Sequence, residues 1–183
     1  MTLIACKDLV FAGGNVPVTG PDFDAATGYR IQNYRTPVPE QVPGAKTLQL
    51  DDLKALFDSE GPVFVDVLGA GSDGYDPLDG TWISPGVRKN IPGSVWLPEV
   101  GRGFLEPELE RHFRDQLVKL TGGDKTKMLV FYCIDKCWMS WNATIRAARW
   151  GYGNAYWFAK GTDAWASAGF PVEEAKPIPV GVE

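Results

Sequence analysis

The chain has 183 residues, of which 44% are hydrophobic and 22% charged, and its formal net charge is −5. This length and composition indicate one globular domain with a substantial core and argue against a disordered chain. Because the net charge is negative, we predict no nucleic-acid binding. Because no long apolar run is present, we predict no membrane span.

Residues 1–45 are predicted to form an extended arm that lies over the body of the protein. The segment is rich in Gly and Pro, which prevents a long helix, and Tyr29, Ile31 and Tyr34 are candidate anchors. Near its start, Leu3-Ile4-Ala5-Cys6 matches a bacterial lipoprotein cleavage box. Neither the basic segment nor the apolar stretch that such a box requires precedes it, so we expect no export signal in this sequence.

From Thr47 onward, short strand patterns and amphipathic helix patterns alternate. The first half of the pattern predicts a strand over 47–50, a helix capped by Asp51 with Leu53, Leu56 and Phe57 on one face, a buried strand over 63–67, a long loop through Pro92 and a strand over 94–97. The second half predicts a helix from Pro107 with an apolar face of Leu109, Phe113, Leu117 and Leu120, a strand over 128–132, a helix capped by Ser140 with Trp141, Ile145 and Ala148 inward and Arg146 and Arg149 outward, a strand over 155–158 and a short helix from Thr162.

Alternating strands and helices predict an α/β domain with a mainly parallel central sheet covered by helices on both faces. We place this domain at residues 46–175 and a C-terminal tail at 176–183. In such sheets ligands bind beyond the carboxyl ends of the strands. This rule points to the loop that follows Tyr132.

Cys133 opens this loop and is the candidate nucleophile. A cysteine between a buried strand and a helix N-terminus lies where backbone amides and the helix dipole favour the thiolate, the reactive form. The predicted cradle for a bound anion or persulfide is the backbone of Ile134, Asp135, Lys136, Trp138, Met139 and Ser140. The alternative, which position alone leaves open, is a buried and inert thiol.

Cys137 lies four positions after Cys133. The two could form a disulfide if the loop brings their Cα atoms within about 4.4–6.8 Å. Cys137 would then act as a resolving thiol or as the acceptor of the sulfur. A purely structural disulfide is the alternative.

Neither a metal nor a cofactor is expected. The chain has three cysteines and a single histidine, His112. Two cysteines at this spacing and a solitary His112 do not make a zinc set. His112 stands beside Phe113 at the edge of a helix face, which favours a packing or surface role. A Cys–His catalytic pair therefore has little support.

Several segments between residues 47 and 172 resemble the rhodanese superfamily. They are Val63-Phe64-Val65-Asp66-Val67, Asn90-Ile91-Pro92-Gly93-Ser94, Phe131-Tyr132-Cys133, Gly151-Tyr152 and Ala168-Gly169-Phe170-Pro171-Val172. In this resemblance Cys133 matches the family's catalytic cysteine, and Asn90 replaces its histidine. The resemblance implies a rhodanese-like fold and persulfide or thiol chemistry on a small sulfur donor or thiol substrate.

A narrower resemblance concerns the Cys-Trp (CXXCW) motif proteins associated with pyrroloquinoline-quinone (PQQ)-dependent catabolism. It is carried by Cys137-Trp138-Met139-Ser140-Trp141-Asn142-Ala143 and by Gly161-Thr162-Asp163. It implies a periplasmic protein that is accessory to a PQQ-dependent alcohol dehydrogenase system.

The cysteine loop departs from the superfamily pattern in length and composition. Ser140 stands seven positions after Cys133, one more than in common single-domain sulfurtransferases. The phosphatase branch also has a longer loop, but it carries an arginine near the loop's end where Trp138 and Met139 stand here. We therefore do not expect phosphatase activity.

The leading interpretation is a sulfurtransferase or sulfur carrier that forms a persulfide on Cys133. Two alternatives stay open: a non-catalytic accessory protein with a structural Cys133–Cys137 disulfide, and a thiol–disulfide oxidoreductase.

Overall fold

Strands and helices alternate along the chain in the computed structural model, which describes residues 18–59, 61–71 and 73–181. In chain order they are β1 (Lys46–Thr47), α1 (Leu50–Phe57), β2 (Val63–Asp66), β3 (Arg88–Asn90), β4 (Val95–Trp96), α2 (Pro107–Thr121), β5 (Leu129–Tyr132), α3 (Trp138–Arg149), β6 (Ala155–Phe158), α4 (Gly161–Ser167) and β7 (Glu173–Ala175). The cleavage-box prediction at Cys6 falls outside the described residues. Among the described residues, no helix has the length and apolar character that crossing a membrane requires.

Five strands form one sheet in the order β1-β6-β5-β2-β4, and every neighbouring pair is parallel. β5 is central and all four of its residues are buried, as expected for a parallel strand covered on both faces. Tyr132 pairs with Asp66 on one side and with Phe158 on the other. The carboxyl ends of three strands therefore meet at one edge, and the predicted α/β architecture is confirmed.

A second, two-stranded sheet pairs β3 with β7 in antiparallel fashion. The sequence pattern predicts a long loop where β3 lies and no strand where β7 lies. Each has only three residues, and the exposed Lys89, Glu173 and Glu174 provide no apolar alternation to reveal them.

The start of α1 differs from the prediction, whereas the start of α2 agrees with it. α1 begins at Leu50 with Gln49 as its N-cap, so Asp51 lies in the first turn rather than at the cap. The reason is local: the Gln49 amide donates to the Asp52 carboxylate at 3.3 Å. α2 begins at Pro107 as predicted, because its missing N–H is not needed there.

α3 begins at Trp138, two residues before the predicted cap at Ser140, and Cys137 is its N-cap. Trp141 and Ile145 are buried and Arg149 is exposed, as predicted. Arg146 was predicted to face outward and is instead buried. Its guanidinium donates to the carbonyls of Val100, Arg102 and Gly103, each at 3.0 Å, because this irregular loop offers carbonyl acceptors without strand partners.

The described part of the arm packs on the outer face of α3. Its anchors join α3 and β6 side chains in one apolar cluster of Phe23, Tyr29, Val42, Trp138, Trp141, Ile145 and Trp157. The buried Asn142 side chain accepts from the Arg30 amide at 2.9 Å and donates to the Arg30 carbonyl at 2.8 Å. The arm is therefore attached to α3 by both apolar packing and hydrogen bonds.

Candidate functional site

Cys133 follows directly after the central strand β5, and a disulfide joins it to Cys137 at the N-cap of α3. Their Cα atoms lie 6.2 Å apart, within the usual range of about 4.4–6.8 Å for a bridged pair. Both residues are buried, at 0% and 1% exposure. The sequence left open whether the two sulfurs are joined, and in this structure they are.

The three residues between the cysteines form a tight turn. Lys136 has a φ of 55°, a left-handed conformation that is uncommon for a side-chain-bearing residue. Lys136 is exposed, whereas Ile134 packs against the main apolar cluster. The turn redirects the chain so that Cys137 can start the helix, which is why α3 begins earlier than the sequence suggested.

Two amides of the predicted cradle already have partners. The Asp135 amide donates to the Asp163 carboxylate at 3.0 Å, and the Trp138 amide donates to the Tyr34 carbonyl at 2.9 Å. The Met139 and Ser140 amides belong to the first turn of α3, where helix geometry provides no intrahelical acceptor. Of the predicted cradle, these two amides therefore have no acceptor within the helix.

The Ser140 hydroxyl holds the start of α3 in place. It donates to the Cys137 carbonyl at 3.1 Å and accepts from the Trp157 indole N–H at 3.0 Å. Ser140 is thus the residue that connects the N-cap cysteine to β6.

A buried ionic network holds the backbone carbonyl of Cys133. The Arg88 guanidinium donates to the Asp66 carboxylate at 2.6 Å, to the Thr162 hydroxyl at 3.0 Å and to the Cys133 carbonyl at 3.2 Å. Burial raises the pKa of Asp66 to about 6, although the positive charge of Arg88 acts in the opposite direction. The network fixes the backbone at Cys133 and connects the ends of β2 and β5 to α4.

Sequence reasoning missed Arg88 and Thr162 as members of this site. Asp66 lies at the end of a buried apolar strand, and a buried carboxylate requires a partner, so its position indicates that a partner residue is nearby. Arg88 lies in a long loop without a recognisable pattern, and only the fold brings it to the sheet edge.

Tyr132 ties β5 to the turn that precedes β4. Its hydroxyl donates to Ser94 Oγ at 2.7 Å and accepts from the Ile91 amide at 3.1 Å. Burial raises the pKa of Tyr132, and the nearby Asp66 adds to this effect. The phenol therefore stays neutral and serves as a structural link beside the cysteine.

The arm covers the disulfide. Arg35 forms an antiparallel bridge with Cys137, and the Trp138 indole N–H donates to Thr36 Oγ1 at 2.9 Å. The sequence predicted that the arm lies on the body, with Tyr34 as an anchor, but it did not predict contact with the cysteine loop.

A cavity of about 560 Å³ opens beside Cys137. Its walls come from the arm, from the segments after β2 and β4, and from the start of α3: Asn33, Tyr34, Arg35, Thr36, Leu68, Gly69, Gly71, Glu99, Arg102, Cys137 and Met139. Cys133 does not line it. The cavity lies at the carboxyl edge of the parallel sheet, where ligand sites are expected.

The sequence also predicts that this protein has no metal site. Within residues 18–59, 61–71 and 73–181, no group of His, Cys, Asp and Glu side chains is arranged to hold a metal ion. His112 is buried at 3% exposure, and burial lowers its pKa, as expected for a histidine packed in a helix face.

Comparison with known proteins identifies the domain. The family model of the rhodanese-like domain matches residues 49–168. Thiosulfate sulfurtransferase from Pseudomonas aeruginosa has 21% identity and a TM-score of 0.50, over 76% of this chain and 22% of that chain. The polysulfide-sulfur transferase homodimer from Wolinella succinogenes has 19% identity and a TM-score of 0.43, over 71% of this chain and 79% of that one. The sequence matches no curated protein.

Proposed function

Since this chain belongs to the rhodanese-like domain family, we propose that it is a sulfurtransferase or sulfur carrier that forms a persulfide on Cys133. The observation that carries the proposal is the disulfide between the strand-end Cys133 and the helix-cap Cys137. The two sulfurs are within bonding reach, so a sulfur atom held on Cys133 can be displaced by Cys137 without movement of the sheet.

The proposed cycle starts from the reduced protein. The Cys133 thiolate attacks the sulfane sulfur of a small donor, forms Cys133–S–SH and expels the remainder of the donor as an anion. The Cys137 thiolate then attacks Cys133 Sγ, which forms the disulfide and releases hydrosulfide. The sulfane sulfur gains two electrons and the cysteine pair loses two. External thiols return the pair to the reduced state. In this cycle the Cys133–Cys137 disulfide is the state that follows sulfide release.

Mass spectrometry of the reduced protein after incubation with thiosulfate or polysulfide tests this proposal. We expect a mass gain of one sulfur atom that is transient in the wild type, persistent in Cys137→Ser and absent in Cys133→Ser. Cys137→Ser is the matched control, because it removes the resolving thiol and leaves the proposed nucleophile. If no donor adds sulfur to either the wild type or Cys137→Ser, the proposal is wrong.

A second candidate function is a non-catalytic accessory protein in which the disulfide is structural. The observation that favours it is burial, because Cys133 and Cys137 are only 0% and 1% exposed. A structural bridge resists mild reductants in the folded protein, whereas a resolving pair, or the pair of a thiol–disulfide oxidoreductase, has a measurable and reversible potential. Equilibration of the native protein in glutathione redox buffers distinguishes a structural bridge from a pair with a reversible potential.

We further propose that the protein acts in the periplasm, beside a PQQ-dependent alcohol dehydrogenase system. The Cys-Trp segment from Cys137 to Ala143 supports this assignment, and a disulfide persists in an oxidising compartment. A deletion strain should grow poorly on alcohols and normally on organic acids, and the wild-type gene should restore growth. Normal growth on alcohols would contradict the assignment.

A further inference from the structure

We propose that the disulfide opens from one side only: a small anionic thiol enters the cavity beside the arm, attacks Cys137 Sγ and expels Cys133 as the free thiolate. This inference deepens the proposed function, on which it rests, because it identifies the class of molecule that reduces the pair and the sulfur that receives it.

Access distinguishes the two sulfurs. Cys137 is part of the wall of the cavity of about 560 Å³, and Cys133 is not. Both cysteines belong to the main apolar cluster, but Cys133 lies at the end of the central strand, where Arg88 and Thr162 hold its carbonyl. While the disulfide is closed, the cavity therefore leads a nucleophile from solvent to Cys137 rather than to Cys133. Thiol–disulfide exchange depends on which sulfur is accessible to attack.

The size of the cavity indicates a small molecule rather than a protein partner. Pockets for small ligands commonly measure about 300–1,000 Å³, and this cavity falls within that range. Residues 33–36 of the arm form one wall of the cavity and stand between the disulfide and the surface of any protein partner. A protein thiol would have to displace the arm, whereas a low-molecular-weight thiol fits in the existing space.

The charge of the cavity favours an anion. Glu99 is paired with Arg102, whose guanidinium also lies 5.2 Å from the centre of the Tyr34 ring. Arg35 is exposed and makes no ion pair within the described part of the chain. The walls thus carry one unneutralised positive charge, directly beside the Cys137 backbone with which Arg35 forms its bridge.

The bonds and electrons of the step balance. The incoming R–S⁻ forms R–S–S–Cys137, the Cys133–Cys137 bond breaks, and its electron pair leaves on Cys133 Sγ. A second R–S⁻ attacks the sulfur of the R group, which yields R–S–S–R and the Cys137 thiolate. The direction has a consequence for sulfur transfer: Cys133 is freed first, while Cys137 is still blocked.

Rapid-quench peptide mapping tests the direction of opening. The oxidised Cys6→Ser protein is mixed with excess 2-mercaptoethanesulfonate, quenched in acid at short times, and its free thiols are alkylated. We expect the sulfonate thiol on Cys137 and the alkyl label on Cys133. An adduct on Cys133, or no opening without denaturant, overturns the inference. A Cys137 adduct in a protein that never forms a persulfide overturns only the proposed function.

Charge variants test the anionic class of the thiol. Arg35→Gln should slow opening by 2-mercaptoethanesulfonate about two- to fivefold, the size expected for one exposed charge interaction. It should leave opening by the cationic thiol cysteamine equal or faster. Arg111→Gln, at an exposed arginine of α2, is the matched control and should change neither rate. Equal slowing of both thiols by Arg35→Gln would overturn the anionic assignment.

Discussion

Arg88 is the residue that connects the parts of the site by hydrogen bonds. Its guanidinium bonds Asp66, Thr162 and the Cys133 carbonyl, and both members of the ion pair are buried. A buried ion pair is weak evidence for stability as such, but loss of one partner leaves the other charge uncompensated. The pair as a whole therefore adds little to the net folding energy, whereas loss of Arg88 alone is costly.

The first prediction concerns this pair. Arg88→Ala leaves the buried Asp66 carboxylate without its ion-pair partner and should destabilise the protein by about 3–5 kcal/mol in chemical denaturation. The matched control is Arg114→Ala, which removes an exposed Arg114–Glu110 pair on α2 and should cost only about 0–1 kcal/mol. Similar losses for the two variants would contradict the role assigned to Arg88.

The second prediction concerns the pH dependence of stability. Burial raises the pKa of Asp66 from 3.8 to about 6, so the folded protein retains a proton that the unfolded chain releases. The resulting stabilisation is fully present below about pH 4 and is lost as the pH rises through about 6. Relative to Asp66→Asn, which does not titrate there, the wild type should lose on the order of 3 kcal/mol over this interval. Parallel stability curves would contradict the raised pKa.

At the scale of elements, the arm and α3 form a unit through Asn142. Its side chain bonds the Arg30 backbone twice and donates to the Gly101 carbonyl at 2.9 Å. Gly101 belongs to the same loop that the buried Arg146 holds. One helix face thus positions both the arm and the segment after β4, which are two walls of the cavity.

The third prediction follows from this arrangement. Asn142→Ala should loosen the arm, increase tryptic cleavage after Arg35 and speed thiol attack on Cys137, because the hydrogen bonds that hold the arm are lost. The matched control is Asn154→Ala, which removes a side-chain bond to the Thr126 carbonyl and should leave cleavage of the arm unchanged. Unchanged cleavage in Asn142→Ala would show that the arm does not depend on the Asn142 hydrogen bonds.

The elements differ in how far sequence predicts them. β5 and α2 were predicted nearly to the residue, because a continuous apolar run and a proline-led amphipathic face are local signals. β3 and β7 were missed because their pairing is between distant, mostly exposed segments. Arg146 was placed outward because charge suggests solvent, whereas its partners are carbonyls of a distant loop.

In the molecule as a whole, the parallel sheet brings the residues of the site together at one edge. The topology places Cys133, Asp66 and the start of α4 at neighbouring strand ends, and the sequence order of strands and helices was sufficient to predict this edge. The cavity and the contact between Arg35 and Cys137 were not predictable, since about 100 residues separate the arm from the loop and no local pattern links them.

In the proposed function Cys133 carries sulfur and Cys137 releases it as sulfide. A single turnover tests this: the reduced protein is mixed with one equivalent of donor, and sulfide and disulfide are quantified together. We expect sulfide and the Cys133–Cys137 disulfide to appear in equal amounts, and we expect Cys137→Ser to hold the sulfur on Cys133 without releasing sulfide. Formation of the disulfide without any sulfide, or sulfide release by Cys133→Ser, would contradict it.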